Sequence, residues 1–255
     1  MTTALSPDVS VAEQLPSPPS LAQAGSVSLF LDFDGTLVEI ADHPQDVIVA
    51  PSLPQALAAL SDKLEGRLAV VSGRSLAALD HLLGPVPIAM AGSHGGEFRP
   101  SRSAPVQPLA EPLPASACEA MAAFAKAQGD LVFEAKPFSV AVHYRDRPEV
   151  ADALLAYAQR IGAEHGLRLK HGKMVIEMSM PGSDKGNAVA HFMDLAPFAG
   201  TRPLFAGDDV TDEDAFAAVR RYDGGGILVG PMRATRALWH LDNVAAVHRW
   251  LENAV

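Results

Sequence analysis

Two carboxylates at positions i and i+2 follow an apolar run in Asp32-Phe33-Asp34-Gly35-Thr36-Leu37. As a strand ends, side chains at i and i+2 can point the same way. An ionised Asp32 is a competent nucleophile toward phosphorus and would give a covalent phospho-enzyme. Asp34 is then placed to protonate a departing oxygen and later to activate water. Gly35 permits the tight turn this requires. A bare Asp-x-Asp also suits an ordinary acidic turn. It is the complete hexapeptide after an apolar strand that points to chemistry.

Three further places carry residues of matching type. In Ser72-Gly73-Arg74, a hydroxyl and nearby backbone N–H groups can hold phosphoryl oxygens where a loop feeds a helix. The same dipeptide is also a common N-cap. In Gly182-Ser183-Asp184-Lys185-Gly186, the Lys185 ammonium can neutralise phosphate beside Asp32. Without it, two anions would approach each other in a partly dry site. In Gly207-Asp208-Asp209, adjacent carboxylates offer the hard oxygen ligands that suit Mg²⁺. Asp208 is the expected ligand, and Asp209 either meets a metal-bound water or orients Lys185. The acidic run Asp212, Glu213 and Asp214 reads as helix N-terminal charge.

The elements that must position these residues can be read from periodicity. Val27–Leu31, Arg67–Val71, Ile88–Ala91, Pro203–Ala206 and Ile227–Val229 are short apolar runs typical of buried strands. Leucines at 53, 57, 60 and 64, and again at 76, 79 and 83, fall at helical spacing. Helices are also predicted near Lys185–Met193, around Phe216 and Val219, and at Val244–Leu251. Alternating strands and helices imply an α/β fold, a Rossmann-like parallel sheet covered on both faces. All four motifs then follow strands, where open α/β sheets bind ligands.

The rhythm breaks at residues 100–114, with five prolines. A helix near 115–128 is expected next, then strands at Leu131–Glu134 and Phe138–Arg145. A helix at Pro148–Gly162 and a hairpin about His171-Gly172 complete a small α+β unit. In Phe138–Arg145, alternation puts Phe138, Val140, Val142 and Tyr144 on one face. Ser139, Ala141, His143 and Arg145 take the other. In Lys173–Met180 it separates the methionines and Ile176 from Lys173, Val175, Glu177 and Ser179. One face packs and the other is left open. The expected organisation is a flexible Pro/Ser-rich tail over 1–24, a core first part over 25–104, an inserted cap over 105–180 and a core second part over 181–255.

Composition narrows the function classes. The 255 residues are 48% hydrophobic, enough for a packed core, and carry a formal net charge of -10. That charge argues against a phosphate-backbone-binding surface and hence against a nucleic-acid partner. No apolar run of about 18 residues indicates a membrane span. Met1 to Leu21 contains no Lys or Arg and does not read as a signal peptide. The single cysteine, Cys118, excludes an internal disulfide and fits a cytoplasmic setting. The oligomeric state is left open, with a monomer favoured.

Asp-x-Asp-Gly-Thr, then Ser-Gly-Arg, then a lysine, then Gly-Asp-Asp, resembles the haloacid dehalogenase (HAD) superfamily over residues 27–255. The resemblance implies Asp32 as nucleophile and Asp34 as acid/base. It also implies Mg²⁺ held by the Asp32 side chain, the Asp34 backbone carbonyl and Asp208. Glu-Ala-Lys-Pro at 134–137, His-Tyr-Arg at 143–145, Gly-Lys-Met-Val-Ile-Glu at 172–177 and Gly-Ser-His-Gly-Gly-Glu at 92–97 look like the trehalose-6-phosphate phosphatase family. Gly-Asp-Asp-Val-Thr-Asp-Glu-Asp-Ala-Phe at 207–216 strengthens the likeness. It implies a sugar phosphate substrate whose distal glucose is gripped by Glu134, Lys136 and Glu177 after cap closure. His94 either touches substrate or orders its glycine-rich loop. The alternatives are another sugar phosphatase of the superfamily, of sucrose phosphate or mannosyl-phosphoglycerate type, or a non-catalytic sugar-phosphate sensor.

Overall fold

Val27–Leu31 (β1) is buried on both faces along its whole length, as a central parallel strand must be. The structure is a computed structural model and describes residues 15–23, 26–41, 43, 46–172 and 174–254. Along the chain, β1 is followed by helix α1 (Leu53–Lys63), β2 (Leu68–Val71), α2 (Leu76–Leu83) and β3 (Ala89–Gly92). Next come the short strands β4 (Glu97–Arg99) and β5 (Gln107–Pro108), then α3 (Ala115–Ala127). They lead to β6 (Val132–Ala135), β7 (Ser139–His143), α4 (Ala151–His165), β8 (Arg168–Gly172) and β9 (Val175–Ser179). The chain then continues through α5 (Lys185–Met193), β10 (Arg202–Gly207), α6 (Glu213–Arg220), β11 (Gly225–Val229), β12 (Trp239–Leu241) and α7 (Val244–Glu252).

Among the described residues these strands form two sheets, an eight-stranded one ordered β12-β11-β10-β1-β2-β3-β4-β5 and a four-stranded one ordered β6-β7-β9-β8. The first is parallel from β12 to β3 and antiparallel at β4 and β5. The fold is therefore α/β with an inserted antiparallel unit. Alternation along β1 serves both faces of the large sheet. Leu29 and Leu31 join one apolar cluster with Leu57 and Leu60 of α1, Leu79 of α2 and Val247 of α7. Phe30 points oppositely and stacks on Phe198 at 5.4 Å, in the cluster built with α5 and α6. In the small sheet, Val140, Val142, Ile176 and Met178 pack under α3 and α4. The opposite face carries Glu134, Ser139, His143 and Glu177, matching the sequence pattern.

The order of strands creates the place for a site. From β1 the chain winds outward through β2 and β3, whereas β10 returns on the other side of β1. The carboxyl ends of β1 and β10 thus lie at a topological switch point, where a crevice opens. The backbone N–H of Asp32 donates to the Ala206 carbonyl at 2.9 Å. This fixes the end of β1 against the end of β10.

Three expectations need adjustment. Gln107–Pro108 pairs with Phe98 and Glu97 of β4, so the large sheet extends past residue 105 and the small unit begins later. The tail reading for 1–14 and 24 lies outside the described residues. Over Leu15–Gln23, the structure shows instead a strap on the core: His240 donates its backbone N–H to the Pro16 carbonyl at 3.0 Å, and Trp250 Nε1 donates to that of Pro19 at 2.9 Å. Leu21 is buried. The last helix-forming stretch of the insertion starts with a 3₁₀ turn, Pro148–Val150, before α4 proper. Among the described residues no helix is long and apolar enough to cross a membrane.

Candidate active site

Asp32 stands one residue beyond β1 and is only 4% exposed. Its Oδ1 lies 2.8 Å from Lys185 Nζ. Lys185 opens α5, a helix capped by the Asp184 side chain accepting from Asn187 N at 2.8 Å. Its ammonium also donates to Asp212 Oδ1 at 2.6 Å. Asp212 is wholly buried, and its other oxygen accepts from the Asp209 backbone N–H at 2.9 Å. One buried cation therefore joins segments contributed by β1, α5 and the loop after β10.

Asp32, Asp208 and Asp212 each offer an oxygen within 4.8 Å of the others, a cluster able to hold a metal ion. Asp208 Oδ1 is buried with no hydrogen-bond partner among the described residues. Such an orphan acceptor is costly unless something absent from the protein chain satisfies it. Gly35 adopts a left-handed φ of 76°, and a Cβ there would overlap the Asp208 carboxylate. The peptide following Asp34 thus lies directly against Asp208. An oxygen-only donor set of this kind suits a hard divalent cation.

Electrostatics in this pocket are unbalanced, with three carboxylates around one ammonium. Burial, then the neighbouring Asp212 charge, pushes Asp208 up to about 6. Asp32 rises well above the usual carboxylate range, first through burial, with Lys185 opposing and Asp212 adding to the shift. Burial works against charge on Lys185, but Asp212 and Asp32 outweigh it and raise its pKa above the ordinary lysine value. A bound cation would relieve the excess negative charge.

Asp34 lies at the mouth of this cluster. Arg74 grips it with both ends of the guanidinium, Nε to Oδ2 and Nη2 to Oδ1, each at 2.7 Å. Ser72 is buried, and its hydroxyl oxygen accepts from Arg74 N at 3.1 Å. The Ser72-Gly73-Arg74 loop interlocks with the loop after β3: His94 N donates to Ser72 O at 2.9 Å and Ser93 N to Arg74 O at 2.7 Å. A Cβ on Gly73 would meet the His94 ring at 2.6 Å. His94 itself has a left-handed φ of 54°, and its Nδ1 is buried without a partner among the described residues. Burial, then Lys185, Lys136 and Lys170, depress its pKa well below the usual histidine value, so the ring is neutral.

The insertion carries the other predicted residues on the polar face of its sheet. Glu134 lies 3.6 Å from Lys136 and 3.5 Å from His143. Glu177 accepts from Ser139 Oγ at 2.8 Å. Register aligns Glu134, Ala141, Glu177 and Lys170 in one row across all four strands. This polar face meets the core, since Arg168 pairs with Asp184 at 2.9 Å and Lys170 with Asp214 at 3.2 Å. Lys173, expected on the same face, lies outside the described residues.

The structure thus brings Asp32, Lys185 and Asp208 together, with Asp34, Arg74, Ser72, Gly73 and His94 around them. Asp209 is not among them: it is exposed, and its side chain caps the turn Val210–Asp212. The partner of Lys185 is Asp212, which by sequence alone reads as helix N-terminal charge. The spacing Asp209-Val210-Thr211-Asp212 was the available signal, because a reciprocal capping box turns the later side chain back toward the strand end. Arg233 was also missed. It donates to the Asp209 carbonyl at 2.7 Å and pairs with Glu213, which in turn accepts from Thr235 Oγ1 at 2.7 Å, bracing the loop that carries Asp208.

A parallel sheet with an acidic, metal-competent cluster at its switch point and an antiparallel unit inserted beside it is the arrangement that the sequence resemblance to the HAD superfamily implies. A Bacteroides thetaiotaomicron phosphatase of that superfamily has the same fold, with a TM-score of 0.61 at 17% identity over 98% of this chain and 97% of that one. The chain belongs to the trehalose-phosphatase family, whose sequence profile, described as Trehalose-phosphatase, matches residues 30–244. The trehalose-6-phosphate phosphatase of Escherichia coli K12 is 38% identical over 248 residues, covering 95% of this chain and 91% of the relative. A probable trehalose-phosphate phosphatase of Sinorhizobium fredii is 41% identical, covering 86% and 84%. The Aspergillus fumigatus trehalose-6-phosphate phosphatase structure matches with a TM-score of 0.70 at 25% identity, covering 93% and 97%.

Proposed function

We propose that this chain hydrolyses trehalose 6-phosphate to trehalose and phosphate through a phospho-aspartate on Asp32, with Mg²⁺ as cofactor. The observation that carries the reading is the buried Asp32–Lys185 pair at 2.8 Å, set at the switch point, with the polar row of the cap tied to the core beside it through Lys170 and Asp214. Asp32, Asp208 and the Asp34 carbonyl would hold the metal, with Asp212 anchoring Lys185 beside them. When bound, the ion supplies charge neutralisation that lets an anionic phosphate approach a carboxylate.

An Asp32 oxygen forms a bond to phosphorus as the bond from phosphorus to the sugar oxygen breaks. The electron pair of that bond leaves with the sugar oxygen, which takes a proton from Asp34. A water then attacks phosphorus, its proton passes to Asp34, and the Asp32–phosphorus bond breaks to restore the carboxylate. Arg74 occupies one lone pair on each Asp34 oxygen and leaves others for these transfers. Lys185 and the Ser72 hydroxyl hold phosphoryl oxygens, with Gly73 allowing close backbone approach. The cap, from about residue 113 to 180, places Glu134, Lys136 and Glu177 on the glucose remote from phosphate, and its seating excludes water.

The test is phosphate release across trehalose 6-phosphate, sucrose 6-phosphate, glucose 6-phosphate and p-nitrophenyl phosphate. Preference for trehalose 6-phosphate in kcat/KM, lost with EDTA and lost in a folded Asp32→Asn variant, is the expected result. Better use of another sugar would retain the chemistry and overturn the substrate. A fully active Asp32→Asn enzyme, with deamidation excluded, would overturn the nucleophile.

A further inference from the structure

Two cations on β8 have no part in the mechanism above. Arg168 and Lys170 occupy alternate positions and share one face of the strand, the face that carries Glu134 and Glu177. Arg168 stands opposite Ser179 and Lys170 opposite Glu177. Both reach across to the core, Arg168 Nη1 to Asp184 Oδ2 at 2.9 Å and Lys170 Nζ to Asp214 Oδ2 at 3.2 Å.

The identity of the two core carboxylates is the informative point. Asp184 caps α5 and immediately precedes Lys185. Asp214 is in the first turn of α6, two residues after Asp212, the buried partner of Lys185. Backbone contact joins the two segments, since a Cβ on Gly186 would meet the Asp214 carbonyl oxygen at 2.5 Å. A single strand of the cap therefore holds both segments that fix the catalytic ammonium.

We propose that Arg168 and Lys170 are positioning residues forming a two-pair clasp. It seats the polar face of the cap over Asp32 and links cap seating to the segments that place Lys185. This rests on the reading of the cap as the sugar-binding element. Each pair is partly exposed, with side chains 55% and 9% accessible in one and 31% and 41% in the other, so neither is strong alone. They act on one strand, however, and lifting the cap breaks both. Lys185 keeps Asp32 and Asp212 either way, because both belong to the core. A substrate too small to touch the cap has no need of the clasp.

The experiment is a double-mutant cycle of Lys170→Met and Asp214→Asn, with Arg168→Met alone and combined with Lys170→Met. Kinetics are followed with trehalose 6-phosphate and p-nitrophenyl phosphate, alongside thermal midpoints. Each single variant should lose about three- to fivefold in kcat/KM on the sugar phosphate and under about twofold on p-nitrophenyl phosphate. Lys170→Met/Asp214→Asn should be no worse than its poorer parent, Arg168→Met/Lys170→Met should be worse than either, and midpoints should hold. Additive losses in the cycle would mean that Lys170 acts on substrate by itself and would overturn the clasp. So would equal losses on both substrates, or none. If wild-type enzyme shows no preference for trehalose 6-phosphate, the cap reading fails. The clasp is then judged by amide exchange at Leu169 to His171: faster exchange in all three single variants supports it, and unchanged exchange overturns it.

Discussion

Lys185 and Asp212, 27 residues apart, meet through a 2.6 Å hydrogen bond in a position closed to solvent. Asp212 Oδ2 simultaneously accepts the backbone N–H of Asp209. A single carboxylate thus sets both the ammonium that faces Asp32 and the loop that carries Asp208. Asp209, its neighbour in the capping box, points to solvent.

The two residues should respond very differently to substitution. Asp212→Asn keeps the shape but removes a buried charge from Lys185, and should lower stability by about 1–3 kcal/mol. Turnover should fall at least about tenfold, because the ammonium and the Asp208 loop lose their common anchor. Asp209→Asn should change turnover less than about threefold, since Asn caps nearly as well as Asp. Thermal midpoints and kcat for the pair decide this, and equal losses in the two variants would sink the assignment.

Metal binding should depend on pH in a defined direction. Asp208 titrates at about 6 in the folded chain against an ordinary 3.8. Between those values the metal-free folded protein holds a proton that the unfolded chain has released. Its stability therefore falls as pH rises through the window. Metal binding requires the ionised carboxylate. The rise in thermal midpoint on adding Mg²⁺ should accordingly be small at pH 5 and larger at pH 7.5, with the gain lost in Asp208→Asn. A pH-independent gain would contradict the assignment of Asp208 as a ligand.

His94 makes the opposite contribution. Its folded pKa is depressed well below 6.5 by burial and by three lysines. As pH falls below about 6.5, the unfolded chain takes up the proton first. Stability is then lost at up to about 1.4 kcal/mol per pH unit until the folded pKa is reached. His94→Asn tolerates the left-handed backbone and removes the titration. Urea midpoints in EDTA between pH 7 and 5 should fall less for the variant than for wild type. Parallel curves would exclude His94 as the source.

The placement of the candidate residues was legible where local pattern suffices. An apolar run ending in Asp-Phe-Asp-Gly reads as a strand delivering carboxylates to a turn, and β1 with Asp32 is found there. The alternation in Phe138–Arg145 separated Val140 and Val142 from Ser139 and His143, and the cap sheet divides that way. The residues that stayed hidden depend on relations beyond one segment. Lys170 lies on the polar face because of its register with β9, which nothing within Arg168–Lys170 reveals. The strands β4, β5 and β12, two or three residues each, are too short to show a period. Leu15–Gln23, rich in proline, resembles a tail in composition. It is held by carbonyls, which proline retains, accepting from His240 and Trp250.

The insertion between β5 and α5 divides labour along the chain. The residues assigned to phosphoryl transfer come from the interrupted sheet, and those assigned to the sugar come from the inserted segment. Substrate range could therefore change by exchanging one contiguous cassette while the reaction stays the same. Arg168 and Lys170 restrict that modularity. A foreign cassette would have to present two cations, spaced by one residue on its edge strand, to Asp184 and Asp214. Compatibility between donor cap and recipient core would then be decided at those four charges before any sugar is bound.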